Sequence, residues 1–172
     1  MKPVPTYAIS TASHNTVLVD GLPQKRVNRQ ANDLMGYGNV NTPLPQFETT
    51  TTFDYARGWY IDGYSNTSYF PANHSRELIF IKANEKSIPI FLIVDIMNSV
   101  DGKSHTYEAR WHLRTTNVQF NSTLKVLATN DSAVPNLAIV ALCKDSQVYY
   151  ASGQTTPFLG LISREDMHQH QQ

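Results

Sequence analysis

Two polar side chains able to do chemistry, His14 and Asn15, stand directly before the apolar stretch at residues 16–20. An imidazole can bind a metal ion or carry a proton, and polar residues at the start of a strand can line a site at a sheet edge. A single histidine in this position more often has a structural role. A zinc site needs three or four ligands, and no nearby Cys, Asp or His has the spacing of a closed zinc motif. The residue types alone leave both roles open.

A second set of candidates lies in residues 105–114, which we read as a strand with a two-residue period. One face, predicted to be core, carries His105, Tyr107, Ala109, Trp111 and Leu113. The opposite face carries Glu108, Arg110, His112 and Arg114. Cationic donors such as Arg110 and His112 suit sugar carboxylates and sulfates, which makes them candidate substrate-binding residues. A solvated face with cross-strand ion pairs explains the same pattern equally well.

Two further residues sit within apolar runs, and we expect both to be structural. Asp95 interrupts the run at residues 88–97, where a carboxylate is costly unless a cation or several hydrogen bonds satisfy it. We therefore predict a pairing with Arg76 or Arg110. Cys143 ends the apolar run at residues 136–143 and is predicted to be a small buried hydrophobe.

The elements that must position these residues are predicted to be strands. The apolar segments are short and rich in Val, Ile, Thr, Phe and Tyr, and no convincing helix is found. Residues 46–55 alternate and predict one half-buried strand, whereas 76–82 and 88–97 are apolar on both faces and predict a buried antiparallel pair at the centre of a sheet. Further strands are predicted at 16–20, 105–114, 123–129, 137–143, 148–151 and 158–162, with a long loop over 21–45. This pattern is typical of an all-β antiparallel sandwich.

Composition narrows the class of protein. A chain of 172 residues suits one domain, here residues 1–172. Lys plus Arg and Asp plus Glu number 14 each, and neither sign forms a run, so a nucleic-acid or anionic-membrane partner is not expected. The longest apolar stretch, 88–97, is too short to span a bilayer. The sequence leaves open whether the chain forms a homo-oligomer.

Taken in order, these segments resemble the C-terminal β-sandwich of heparinase II/III-like polysaccharide lyases. The resemblance covers most of residues 7–114 and is fainter near residues 158–163. Its motifs are Ser13-His14-Asn15-Thr16-Val17, Asp20-Gly21, the aromatic segment at 55–60, His74-Ser75-Arg76, Asp95, His105-Thr106-Tyr107-Glu108 and Trp111-His112-Leu113.

The resemblance implies a parent enzyme with an α/α toroid before the sandwich, exported to the periplasm or beyond the cell. Such enzymes cleave uronic-acid polysaccharides, of the heparin, heparan sulfate or alginate kind, by β-elimination. Their catalytic Asn, His and Tyr groups come largely from the toroid, so the isolated chain is expected to be inactive. His14 matches the histidine that is a zinc ligand in metal-binding members, and the companion ligands would lie upstream of Met1.

A rival hypothesis from another class is a non-catalytic carbohydrate-binding or structural β-sandwich that keeps the family pattern only for folding. A sugar-processing enzyme complete in itself is disfavoured, because no Tyr, His and Asn constellation stands at a recognisable spacing. A helix-rich toroid segment upstream in the reading frame supports the lyase hypothesis, whereas an unrelated module there favours the rival.

Overall fold

A computed structural model describes residues 7, 9–25, 45–65, 71–115, 117–155 and 158–159. Within these residues the chain forms one 3-10 turn, Thr11–Ser13, and eleven strands. The strands are β1 Val17–Val19, β2 Gln46–Thr49, β3 Phe53–Tyr60, β4 Ala72–Ile81, β5 Ile90–Ser99, β6 Tyr107–Ala109, β7 Val118–Asn121, β8 Val126–Thr129, β9 Ala138–Val140, β10 Gln154–Thr155 and β11 Phe158–Leu159. Every strand pair is antiparallel, which confirms the predicted all-β antiparallel sandwich class.

Contacts divide the chain into two compact units. The central unit is Val17–Ala109, and the terminal unit combines Met1–Thr16 with Arg110–Gln172. The central unit contains a four-stranded sheet in the order β2-β3-β4-β5 and a two-stranded sheet of β1 and β6. The terminal unit contains a three-stranded sheet in the order β7-β8-β9 and the β10-β11 pair. No helix in the described part of the chain is long and apolar enough to cross a membrane.

The predicted antiparallel pair of apolar runs is β4 with β5, in a register that places Arg76 opposite Asp95. The prediction that both strands are buried was wrong for β5. This strand is the last of its sheet among the described strands, and Ile90, Phe91 and Leu92 are 49%, 57% and 38% exposed. Because these neighbours point to alternate faces, β5 leaves apolar side chains open on both sides.

The alternating segment at residues 46–55 is a hairpin, not the single strand that its period predicts. Thr50 reverses the chain: its hydroxyl oxygen accepts hydrogen bonds from the backbone N–H groups of Thr52 and Phe53, at 3.2 and 2.9 Å. The Thr50 N–H donates to the Phe53 carbonyl at 2.9 Å and closes the turn. A threonine hydroxyl that replaces a backbone partner in this way favours a turn over a continuing strand. Strand β2 stands at the end of the four-stranded sheet among the described strands and is exposed throughout.

The core of the central unit forms around β1, whose three residues are all buried. Val19 packs with the fully buried Tyr64 and Ala72. Partly buried apolar side chains surround this cluster: Leu22, Tyr60 and Met97. The Tyr60 hydroxyl donates to the Gly63 carbonyl at 2.6 Å, so the polar end of this side chain is satisfied beside the core.

The predicted strand at residues 105–114 is shorter than expected, and its predicted core face was wrong for Tyr107, Ala109 and Trp111. Only Tyr107–Ala109 form strand β6, and all three residues are exposed. Trp111 is 38% exposed. Strand β6 pairs with β1 alone among the described strands, so it is a sheet edge, and its Tyr107 is 40% exposed.

In the terminal unit, the Cys143 prediction was also wrong. Cys143 is exposed, because β9 ends at Val140 and the chain then turns. The Lys125 ammonium stabilises that turn by donating to the carbonyls of Cys143 and Lys144 at 2.8 and 2.7 Å. Residues 148–151, predicted to be a strand, are not one. Most of the predicted loop, 26–44, and residues 160–162 of the last predicted strand lie outside the described residues.

Candidate functional site

The 3-10 turn Thr11–Ser13 presents His14 at its C-terminal end. The His14 N–H donates to the Thr11 carbonyl at 3.2 Å, and the ring Nδ1 lies 2.7 Å from the Ser10 carbonyl. A carbonyl oxygen only accepts, so Nδ1 carries the hydrogen of this bond. In the neutral ring, Nε2 then holds the lone pair. The side chain is exposed, and this nitrogen is the one suited to bind a metal ion or accept a proton.

Asn15, the second predicted site residue, joins the start of the chain to the segment after β6. Its side-chain carbonyl oxygen accepts a hydrogen bond from the His112 backbone N–H at 2.7 Å. One residue further on, the Arg110 N–H donates to the Thr16 carbonyl at 2.9 Å. These bonds cross almost a hundred residues of sequence and place residues 110–112 beside residues 12–16.

Arg110 and His112 both turn toward the same carbonyl oxygen. Arg110 Nη1 donates to the Ala12 carbonyl at 3.3 Å, and His112 Nε2 donates to it at 3.0 Å. Partial burial lowers the pKa of His112, the bond to the Ala12 carbonyl raises it, and the nearby Arg110 and His14 lower it again. The net shift is downward, so His112 is neutral at neutral pH.

The structure therefore brings together all four residues predicted from the sequence. We call His14, Asn15, Arg110 and His112 the His14 cluster; it lies entirely within the terminal unit. It combines a permanent guanidinium charge, an amide and two imidazoles around one turn. Such a set can bind an acidic sugar through Arg110 and can offer one lone pair at His14.

The His14 cluster does not contain a complete zinc site. Zinc in proteins takes at least three side-chain ligands. Among the residues that the structure describes, no group of three or more His, Cys, Asp or Glu side chains could hold a metal ion. The cluster supplies His14 as a single candidate ligand, and the zinc expectation stays a prediction about a parent protein.

Tyr7 is a neighbour of the cluster that sequence reasoning missed. Burial raises the pKa of its hydroxyl, and the positive charge of Arg110 acts in the opposite direction. The Tyr7 carbonyl also accepts the hydrogen bond of the Ser10 N–H at 2.8 Å, at the start of the turn. No spacing rule links a residue at position 7 with one at 110, so the sequence carries no signal for this proximity.

The Asp95 prediction is confirmed with Arg76 as the partner. Arg76 binds the carboxylate with two parallel bonds, Nε to Oδ1 at 2.7 Å and Nη2 to Oδ2 at 2.9 Å. His74, which sequence reasoning missed, lies 2.7 Å from Oδ1 through Nε2 and is only 6% exposed. Because His74 and Arg76 are two apart on β4, they share a face, and the register brings Asp95 to that face.

Comparison with known proteins identifies the family. The family model described as "Heparinase II/III-like, C-terminal" matches residues 2–160. No curated protein and no solved structure gives a significant match. The matched region contains the His14 cluster, the Asp95 ion pair and strands β1 to β11. The chain belongs to the heparinase II/III-like C-terminal domain family and is thus a β-sandwich part of a polysaccharide lyase.

Proposed function

We propose that this chain serves a lyase that cleaves a uronic-acid polysaccharide by β-elimination, and that it contributes the His14 cluster to one wall of the substrate cleft. The family match over residues 2–160 supports the reaction class. In this proposal an α/α toroid of the same parent protein supplies most of the catalytic groups, and the substrate is a heparin-, heparan sulfate- or alginate-like polymer.

The reaction defines what the cleft must provide. A base removes the proton at C5 of the uronate, the electron pair forms a C4–C5 double bond, and the C4–O bond breaks as the leaving oxygen takes up a proton. The negative charge that develops next to the carboxylate must be neutralised for C5 to become acidic. Preorganised donors aimed at that carboxylate are the largest contribution a protein can make to such a step.

The observation that carries the proposal is the convergence of the His14 cluster on one turn. Arg110 supplies a permanent positive charge with planar donors that match a carboxylate. Its position is constrained by the bond from Nη1 to the Ala12 carbonyl and by the backbone bond to Thr16. Asn15 fixes the neighbouring backbone through His112, so the charge is held on an ordered segment rather than on a free loop.

Binding of a defined uronate oligosaccharide to the chain tests this role. We expect Arg110→Gln to weaken binding about 10-fold, since a hydrogen bond to a charged group contributes about 1.5–3 kcal/mol. Lys86→Gln is the matched control, because it removes one positive charge from an exposed turn of the central unit. If calorimetric titration gives the Arg110 variant and the control the same affinity, the His14 cluster does not line the substrate cleft.

A further inference from the structure

A histidine outside the His14 cluster lies between two carboxylates. His105 Nδ1 is 2.7 Å from Asp20 Oδ2, and Nε2 is 2.8 Å from Asp101 Oδ1. The His105 side chain is only 2% exposed, whereas those of Asp20 and Asp101 are 34% and 21% exposed. Both ring nitrogens are thus occupied by acceptors, a constellation that the predicted core role of His105 did not anticipate.

The two carboxylates come from two Asp-Gly turns in different parts of the central unit. Asp20 and Gly21 follow β1 and have φ angles of 52° and 72°, as a type I′ hairpin turn requires. Asp20 is also bonded twice to Thr106, whose N–H donates to Asp20 Oδ1 at 2.9 Å and whose carbonyl accepts the Asp20 N–H at 2.8 Å. Asp20 is therefore fixed beside the start of β6.

Asp101 belongs to the connection between β5 and β6. Its Oδ1 accepts hydrogen bonds from the Lys103 N–H at 3.0 Å and from the Ser99 hydroxyl at 3.3 Å. Together with Asp20 and His105 this residue joins the turn after β1, the loop after β5 and the start of β6. We call Asp20, His105 and Asp101 the His105 clamp.

We propose that the His105 clamp is a pH-sensitive device, closed when His105 carries two N–H groups and partly open when it carries one. This inference goes beyond the proposed function and does not depend on it.

The number of N–H groups on the His105 ring decides how many carboxylates the ring can bind. Ionised carboxylates only accept hydrogen bonds, and a histidine donates from both nitrogens only as the imidazolium ion. A neutral ring has one N–H and would turn a lone pair toward a carboxylate oxygen less than 3 Å away. One of the two contacts must then lengthen or break, and the loop or the turn loses its bond to His105.

The surrounding charges favour the closed form. The hydrogen bond to Asp101, and then that to Asp20, raise the pKa of His105 above its ordinary value. The pKa of Asp101 is lowered, chiefly by His105, and that of Asp20 is lowered chiefly by the Thr106 N–H and then by His105. Two further groups among the described residues lie near the clamp: Lys103, whose Nζ is 3.9 Å from Asp101 Oδ2, and the Tyr107 ring, whose centroid is 6.4 Å from that of His105.

The sign of the pH dependence follows from these directions. A raised histidine pKa means that the clamp contributes fully to stability below the ordinary value of about 6.5 and that this contribution is lost as pH rises through the folded-state value. The lowered carboxylate pKa values mean a second loss in acid, as pH falls through them. The clamp is closed between these two limits.

Nuclear magnetic resonance titration of the 172-residue chain tests the proposal. We expect the His105 ring to titrate above pH 6.5, and the amide signals of Lys103 or Thr106 to shift with the same midpoint, since these N–H groups bond the two carboxylates. The amide that moves identifies the contact that opens. In Asp101→Asn, which keeps the side-chain shape, the His105 midpoint should fall toward its ordinary value.

His105→Gln is the second variant, because glutamine keeps polar contacts and cannot titrate. Its Lys103 and Thr106 amides should lose the shift that follows the His105 titration and keep only the acid shift that comes from Asp101 and Asp20. The proposal is overturned if His105 titrates at or below about pH 6.5 in the wild-type chain, or if both amides are unchanged through its titration.

Discussion

At the scale of single residues, the charge of Asp95 is satisfied by three hydrogen bonds, one from His74 and two from Arg76. Burial acts to raise its pKa, but the hydrogen bonds from His74 and Arg76 and the positive charge of Arg76 outweigh burial, and the pKa lies below its ordinary value. A depressed carboxylate pKa contributes stability that is fully present above the unfolded-state value of about 3.9 and is lost as pH falls through the folded-state value. Asp95 therefore contributes to stability at neutral pH.

Replacing Asp95 with Ala should lower the free energy of unfolding by about 2–5 kcal/mol, because Arg76 and the buried His74 lose their shared acceptor. Urea denaturation measures this change. Asp54→Ala is the matched control: Asp54 pairs with Lys82 at 2.8 Å, but its side chain is 38% exposed. This pair is more exposed than that of Asp95 and should contribute about 1 kcal/mol, so equal losses in the two variants would contradict the difference in burial that we infer.

At the scale of elements, the tight turn from Val19 to Leu22 fixes where β1 ends. Two backbone hydrogen bonds join Val19 and Leu22, and the turn between them needs left-handed backbone at Asp20 and at Gly21. Glycine adopts this conformation without the steric cost that a Cβ atom introduces. The turn also carries Asp20, so its geometry positions one arm of the His105 clamp.

Gly21→Ala should destabilise the chain by about 1–2 kcal/mol, the cost of a left-handed conformation for a residue with a side chain. Gly58→Ala is the control. Gly58 lies in β3 without a positive φ, and a Cβ there meets no atom within 4 Å. Alanine in that strand should be neutral or stabilising by up to about 1 kcal/mol, because it restricts the unfolded chain. Thermal melts compare the two variants. An equal loss would contradict the backbone explanation, because a Cβ meets no atom within 4 Å at either position.

At the scale of the whole molecule, the proposed cleft is incomplete in this chain. In the proposal the His14 cluster binds the substrate carboxylate, but β-elimination also needs a base at C5 and an acid at the leaving oxygen. In the proposal, those groups come from the toroid. Family membership makes this reaction an expectation for a parent protein. Activity itself depends on whether all catalytic groups are present in one site.

The purified chain should therefore show no lyase activity on heparin, heparan sulfate or alginate. Absorbance of the unsaturated uronate product measures turnover, with heat-treated chain as the control. A parent protein with the toroid should be active in the same assay. Turnover by the 172-residue chain above the control would contradict the proposal that the toroid supplies the catalytic groups.

Much of the fold follows from local sequence pattern. Short runs rich in β-branched and aromatic residues predicted the all-β class, and the two apolar runs predicted the β4–β5 pair, because side-chain period and strand propensity are properties of neighbouring residues. A cationic partner for Asp95, either Arg76 or Arg110, followed from the cost of a charge in an apolar run. The members of the His14 cluster could likewise be named one by one, from residue type and from family resemblance.

The features that only the tertiary structure decided involve residues that are far apart in the chain. Whether β5 and β6 are edges, and so exposed, depends on which strands pair with them, and periodicity carries no information on pairing. The alternating side chains of residues 46–55 predicted one strand, but the Thr50 hydroxyl accepts backbone hydrogen bonds and turns the chain there. The convergence of Asn15 with His112, and of Asp20 with His105, joins residues 97 and 85 positions apart. Such contacts exist only once the chain has folded, because nothing in the local backbone brings these side chains together.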